Sequence, residues 1–67
     1  MKVKFIGDSY KTDVWKNQST KRNFNVIKNR EFKTGLWGGS ESVLTANDEW
    51  ICDCDSKCFK EQFIRIK

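Results

Sequence analysis

Cys52, Cys54 and Cys58 lie within ten residues of one another, interspersed with Asp53 and Asp55 and preceded by Glu49. Three thiols beside three acids could hold a metal, form a disulfide or simply pack. Structural zinc takes four nitrogen or sulfur ligands in a tetrahedron, commonly from C-x₂₋₄-C knuckles. A C-x-C pair on an extended strand sets its α-carbons roughly 7 Å apart, from a rise of about 3.3 Å per residue. Thiolates around zinc sit about 4 Å apart. The chain has no histidine to complete the set, and Asp53 would point away from the cysteines on a strand. A disulfide from Cys58 to Cys52 or Cys54 would close a short loop and contribute on the order of 2 kcal/mol. Burial as small apolar groups is the third option and the favoured one, because free cysteine is among the most buried residue types. No metal or other cofactor is expected.

Catalytic chemistry has little to work with. A cysteine or serine nucleophile here lacks the histidine that most often serves as its base. Paired carboxylates such as Asp53 and Asp55 need a cleft between them to act on a glycoside, and in this setting they read as a solvated turn. The glycines of Gly35-Leu-Trp-Gly-Gly39 lack the Lys and Ser or Thr that must follow in a phosphate loop. No enzymatic activity is expected.

Surfaces remain. Lys11, Lys16, Lys21 and Arg22 surround Tyr10 and Trp15, Lys28 and Arg30 follow, and Trp37 stands beside a glycine pair. Interleaved bases and aromatics can grip a phosphate backbone while stacking on bases. The same composition suits a protein interface, where Trp, Tyr and Arg dominate binding energy. Trp50 is assigned to the core. Charge is uneven: residues 1–39 hold nine Lys and Arg against three acids, while residues 40–67 hold four against six. The first half therefore favours an anionic partner.

The elements that must carry these residues are short. A chain of 67 residues is one domain and buries only about 60% of its unfolded surface. Val3 and Phe5 alternate with Lys2 and Lys4, the period of a half-buried strand, and Gly7-Asp8-Ser9 supplies a turn. Residues 10–22 are mostly polar and predict a long exposed loop. Phe24 to Lys28 is a second strand, with a bulge or an end at Ile27. Glu31 to Lys33 extends it before Gly35 turns the chain. Gly38-Gly39 suits a tight hairpin, Ser42 to Ala46 is a strand, and Asn47-Asp48 a turn. Glu49 to Cys54 alternates, with Trp50, Cys52 and Cys54 on one face and Ile51 and Asp53 on the other. Asp55-Ser56-Lys57 turns, Cys58-Phe59 restarts an extended segment, Lys60-Glu61-Gln62 forms one tight helical turn, and Phe63 to Ile66 closes as a strand. A helix over 57–66 is the rival, since Phe59, Phe63 and Ile66 fall at i, i+4, i+7.

This order of elements after the Asn47-Asp48 turn resembles the distal half of a Src homology 3-like barrel. Phe59-Lys60-Glu61-Gln62-Phe63-Ile64 matches the stretch that precedes that family's last strand, with Lys60 in place of the usual Pro and Phe63 in place of the usual Tyr. Trp50 matches the first Trp after the distal turn. The resemblance implies an all-β fold, a small five-stranded barrel with one 3₁₀ turn before the last strand. The family's groove for proline-rich peptides does not carry over, because the chain has no proline, one tyrosine and no Ala-Leu-Tyr-Asp-Tyr-like stretch. The chain also resembles the short, basic, β-rich proteins encoded by phages and prophages of low-GC Gram-positive bacteria.

No stretch is long and apolar enough to cross a bilayer as a helix. The start lacks the apolar run of a secretory signal, and an odd number of cysteines argues against a secreted disulfide scaffold, so a cytosolic protein is expected. These features together predict a non-enzymatic binding protein that docks on a host or defence protein through Tyr10, Lys11, Trp15, Lys16, Lys21, Arg22, Lys28, Arg30 and Trp37. Direct nucleic-acid binding through the basic first half is the alternative, and a zinc-stabilised module a further one.

Overall fold

The structure, a computed structural model, describes residues 2–66. The elements are β1 (Lys2–Phe5), β2 (Tyr10–Asn17), β3 (Thr20–Val26), β4 (Glu31–Trp37), β5 (Ser40–Leu44), β6 (Trp50–Asp53), α1 (Lys57–Gln62) and β7 (Phe63–Arg65). All strands join one sheet in the order β3-β2-β6-β5-β4-β1-β7, and its pairings are antiparallel. The expectation of a mainly β fold holds. The sheet, however, has seven strands rather than five and is open, with β3 and β7 at its edges.

The sheet wraps round a single core. Buried side chains reach that core from all seven strands and from α1, which a flat sheet could not allow. Phe63 is its hub, with ring centroids 5.2 Å from Phe5, 5.6 Å from Phe59 and 6.3 Å from Phe32. Cys52 and Cys54 are buried there too, as small apolar packing requires.

The largest correction concerns residues 10–22, which form β2 and the start of β3 rather than a loop. Tyr10, Thr12 and Val14 turn inward opposite Val26, Phe24 and Arg22, an alternation hidden because half of the inward positions are polar. Asn17 shapes the turn, its Oδ1 accepting from the backbone N–H of Ser19 at 2.9 Å. Such a side-chain closure mimics a backbone turn. Gly35 does not turn the chain either. It lies inside β4 opposite Ser42, where an added Cβ would come 3.0 Å from Leu44 Cδ1, so the glycine marks a close approach.

Other turns fall where the sequence puts them. Gly38 and Gly39 adopt φ of 61° and 87° between β4 and β5, and Asp48 adopts 64° after Asn47. β3 ends at Val26, just before Ile27. The segment before the last strand is α-helical over six residues, not a 3₁₀ turn, and includes Cys58 and Phe59. Ser56 caps it, accepting from the Phe59 N–H at 3.2 Å, and Phe63 is already extended, so no helix continues to Ile66.

One irregularity matters for the outer surface. Leu44 faces Trp50 and Val43 faces Cys52, which leaves Ile51 as an extra residue in β6. This bulge puts Trp50 and Asp53 on the same face, and Trp50 Nε1 donates to Asp53 Oδ1 at 2.9 Å. Ile51 and Cys52 are both buried. Trp50 is therefore not a core residue: it is half-buried on the outside of the sheet.

Candidate functional site

A row of directly opposed residues crosses six strands on the outer face. Lys21 faces Trp15, Trp15 faces Trp50, Trp50 faces Leu44, Leu44 faces Lys33, and Lys33 faces Lys2. With strands about 4.8 Å apart, the row is roughly 24 Å wide. Its middle is apolar and its ends are cationic. Directly opposed residues on one face are in side-chain contact range, so the row is one continuous strip.

Trp37 widens the apolar middle. Its ring centroid lies 5.8 Å from that of Trp50, tilted by 36°. Leu44 is 6% exposed yet stands outside the main core cluster, so it is screened from this side, by Trp50 opposite it and the indole packed on Trp50. Gly35 gives Leu44 the room to lie flat. Asp53 fixes the Trp50 ring and also accepts from Ser42 Oγ at 3.1 Å. The three indoles remain half-buried, presenting one side to solvent. Amphipathic rings held this way suit an interface, since little side-chain freedom is left to lose on binding.

The cations around the strip are mostly neutralised within the chain. Lys21 sits over the Trp15 ring at 5.5 Å and 3.5 Å from Asp13. Lys33 is paired with Asp48 and Lys2 with Glu31. Lys16 Nζ donates to the carbonyl of Asn47 at 2.7 Å. Lys33 holds the Asp48 carboxyl below its ordinary range through that hydrogen bond.

The structure gathers Trp15, Lys21 and Trp37 around this strip and scatters the other expected contact residues. Lys16 lies at its rim. Arg22 points to the inner side, where Nε and Nη2 donate to the two Glu49 oxygens at 2.6 Å each. Tyr10, at the far end of β2, packs on Phe5 with centroids 5.6 Å apart, about 17 Å along the strand from Trp15. Lys28 lies in the β3–β4 connection, 4.0 Å from Asp8. Arg30 is in the same connection, bonded through its backbone to Ile27 and Phe5. Lys11 is exposed on β2 opposite Asn25. Missing from the sequence-based set are Trp50, Leu44, Lys33 and Lys2. Only the bulge at Ile51 turns Trp50 outward, and residue types alone do not reveal a bulge.

The thiols form a separate group. Cys58, from α1, neighbours Tyr10 and Cys52. Burial, aided by the neighbouring thiols, pushes Tyr10 and Cys52 each up to about 12. Burial also raises Cys54. All three cysteines are free. Among the described residues, no three His, Cys, Asp or Glu side chains are arranged to hold a metal ion. A cleft of about 390 Å³ opens beside Cys58, lined also by Gly7, Asp8, Tyr10 and Gln62. Its polar side chains are one thiol, one phenol, one carboxylate and one amide.

No helix among the described residues is long and apolar enough to cross a membrane. Comparison with protein-family models, curated proteins and solved structures found no match.

Proposed function

We propose that this chain is a small non-enzymatic binding protein that docks on another protein through the Trp15, Trp50 and Trp37 face. The observation that carries the proposal is the opposed row from Lys21 to Lys2, whose apolar centre and charged ends reproduce the plan of a protein interface. A strip about 24 Å wide is of the scale needed for a standard contact of about 800 Å² per partner. Internal pairing of Lys21, Lys33 and Lys2 with acids favours a protein over a phosphate backbone. Nucleic-acid binding draws its affinity from cations that neutralise phosphates, and here the cations beside the indoles already have carboxylates.

The finer identity is part of the same proposal. The run from the Asn47-Asp48 turn through β6, the polar turn, the short helix and β7 supports a Src homology 3-like relation, with β2 and β3 added at one side. A small basic chain of this kind fits a protein of phage or prophage type that acts in the bacterial cytoplasm by inhibiting or redirecting a host or defence protein.

Affinity capture with identified partners, repeated after nuclease treatment and with Trp15→Ala/Trp37→Ala, tests this. A partner that survives nuclease and moderate salt but is lost with the double variant is the expected result. Binding to a dT oligonucleotide that weakens steeply with salt would favour the nucleic-acid alternative instead. Capture indifferent to both indoles would remove the face from consideration.

A further inference from the structure

Three thiols allow three pairings, and their surroundings separate them. Cys52 lies on β6 and is buried in the core. Cys58 lies in the first turn of α1, which packs on β6, and it is the half-buried member of the three. The two are neighbours. Cys58 also lines the cleft of about 390 Å³ beside Tyr10, so it is open to a small solute. Cys54 is placed differently. It lies at a separate opening with Glu41 and Arg65, and these charges are the strongest on it. Cys52 and Cys54 stand two residues apart in an extended run, with α-carbons roughly 7 Å apart, above the ~6.8 Å that a disulfide ordinarily spans. Cys52 and Cys58 are therefore the pair that the fold brings together.

We propose that Cys58 and Cys52 form a redox-modification site, at which hydrogen peroxide converts the two thiols into a reversible disulfide that fastens α1 to β6. Peroxide entering the cleft meets Cys58 first. The Cys58 sulfur attacks one peroxide oxygen, the O–O bond breaks, and the departing hydroxide takes the thiol proton, leaving a sulfenic acid and one water. The Cys52 sulfur then attacks the Cys58 sulfur, the S–O bond breaks, and hydroxide leaves with the Cys52 proton as a second water. Two thiols are oxidised and one peroxide is reduced to two waters. The roles are divided by exposure. Burial favours the protonated form of Cys52, which makes it a poor nucleophile towards solutes in the surrounding water and leaves it to resolve the sulfenic acid formed beside it. The site lies on the core side of β6, whereas Trp50 of the same strand stands outside, so the proposal does not rest on the docking face.

Hydrogen peroxide treatment of the folded full chain at neutral pH, then alkylation of the remaining thiols and measurement of the intact mass, reads the modification. The expected product has lost two hydrogen atoms, keeps one alkylatable thiol in place of three, and regains all three with dithiothreitol. Cleavage before aspartate separates the cysteines, because Asp53 lies between Cys52 and Cys54 and Asp55 between Cys54 and Cys58. The expected linked peptides are the one that ends at Cys52 and the one that begins at Asp55. The same oxidation in denaturant controls for closeness along the chain and is expected to spread the product over the three pairings. Cys54→Ser, with circular dichroism as the folding control, is expected to form the bond as the parent does. Cys58→Ser is expected to leave Cys52 reduced at a peroxide dose that bridges the parent. A folded parent chain that keeps all three thiols, stops at a sulfenic acid or links Cys54 would overturn the proposal, as would a product equally selective in denaturant or a Cys52 that oxidises as readily without Cys58.

Discussion

Arg22 closes on Glu49 with both arms of its guanidinium, joining β3 to the start of β6 across the intervening β2. The carboxylate is 7% exposed and takes a third bond, from Thr45 Oγ1 at 2.9 Å. The Thr45 hydroxyl accepts in turn from the backbone N–H groups of Asn47 and Glu49. One ion pair thus ties the β2–β3 hairpin to the β5–β6 turn, and a bidentate geometry of this kind is stronger than a single contact.

Acid stability should carry the mark of Glu49. The hydrogen bond from Arg22, supported by Thr45, holds this carboxyl below the ordinary glutamate value of 4.5. A folded value below the unfolded one means that the stabilisation is complete above 4.5 and is lost as pH falls through the depressed value. Urea midpoints measured from pH 7 downward should therefore decline below about 4.5, near the ordinary glutamate value. Glu49→Gln, less stable at pH 7, should show a smaller decline.

At alkaline pH the sign reverses. Tyr10 is raised from 10.0, and Cys52 from 9.0, to about 12, first by burial, which favours the neutral phenol and thiol. Their contribution is present below the ordinary values and is lost as pH rises from about 9 towards 12. Tyr10 is the chain's single tyrosine, so phenolate absorbance isolates it. The native titration should centre well above the one recorded in denaturant, where the ordinary value of 10.0 applies.

Phe63 contacts the rings of Phe5, Phe32 and Phe59, and its removal should be the most damaging core change. Phe63→Ala is expected to cost about 3–5 kcal/mol, comparable to the whole stability of a small domain. Circular dichroism at 25 °C should show a largely unfolded chain, with Phe63→Leu retaining a cooperative transition.

Leu44 sits under the outer aromatic strip rather than in the main core. Leu44→Ala should cost about 2–4 kcal/mol and loosen Trp50 and Trp37 above it. Tryptophan emission should shift to the red in the folded variant, a change not expected from core truncations on the other face such as Val3→Ala.

Helix α1 has six residues, too few to stand without a cap. Ser56→Ala should cost about 1 kcal/mol, and Ser56→Asp should retain most of it. Urea midpoints of the two variants against the parent measure the difference.

What was legible in the sequence follows from how each segment meets its surroundings. Val3 and Phe5 alternate with lysines because β1 has one core face, and Gly38, Gly39 and Asp48 mark turns whose backbone requires positive φ. Burial of Cys52 and Cys54 followed from the small size and apolar character of the thiol, whereas Cys58 is only half-buried. Residues 10–22 were opaque because β2 and β3 fill inward positions with Thr12 and Arg22, whose compensation comes from Phe24 and from Glu49, 27 residues away from Arg22. Gly35 read as a turn because a glycine made necessary by Leu44 looks the same as one made necessary by φ. Of the expected contact residues, Trp15, Lys21 and Trp37 converge because β2, β3 and β4 present the same face. Tyr10 and Arg22 diverge from them through strand alternation, which could not be applied while their segment read as a loop.

The supernumerary Ile51 sets the phase of β6. Upstream of it an odd-numbered step would carry Trp50 inward; the added residue resets the count, so that indole and carboxylate three positions apart look the same way. Were Ile51 paired in a regular ladder instead, the strict two-residue rhythm would force a choice between a Trp50 turned inside and a Cys52 turned out. The aromatic face is thus written less in which residues the strand contains than in how many.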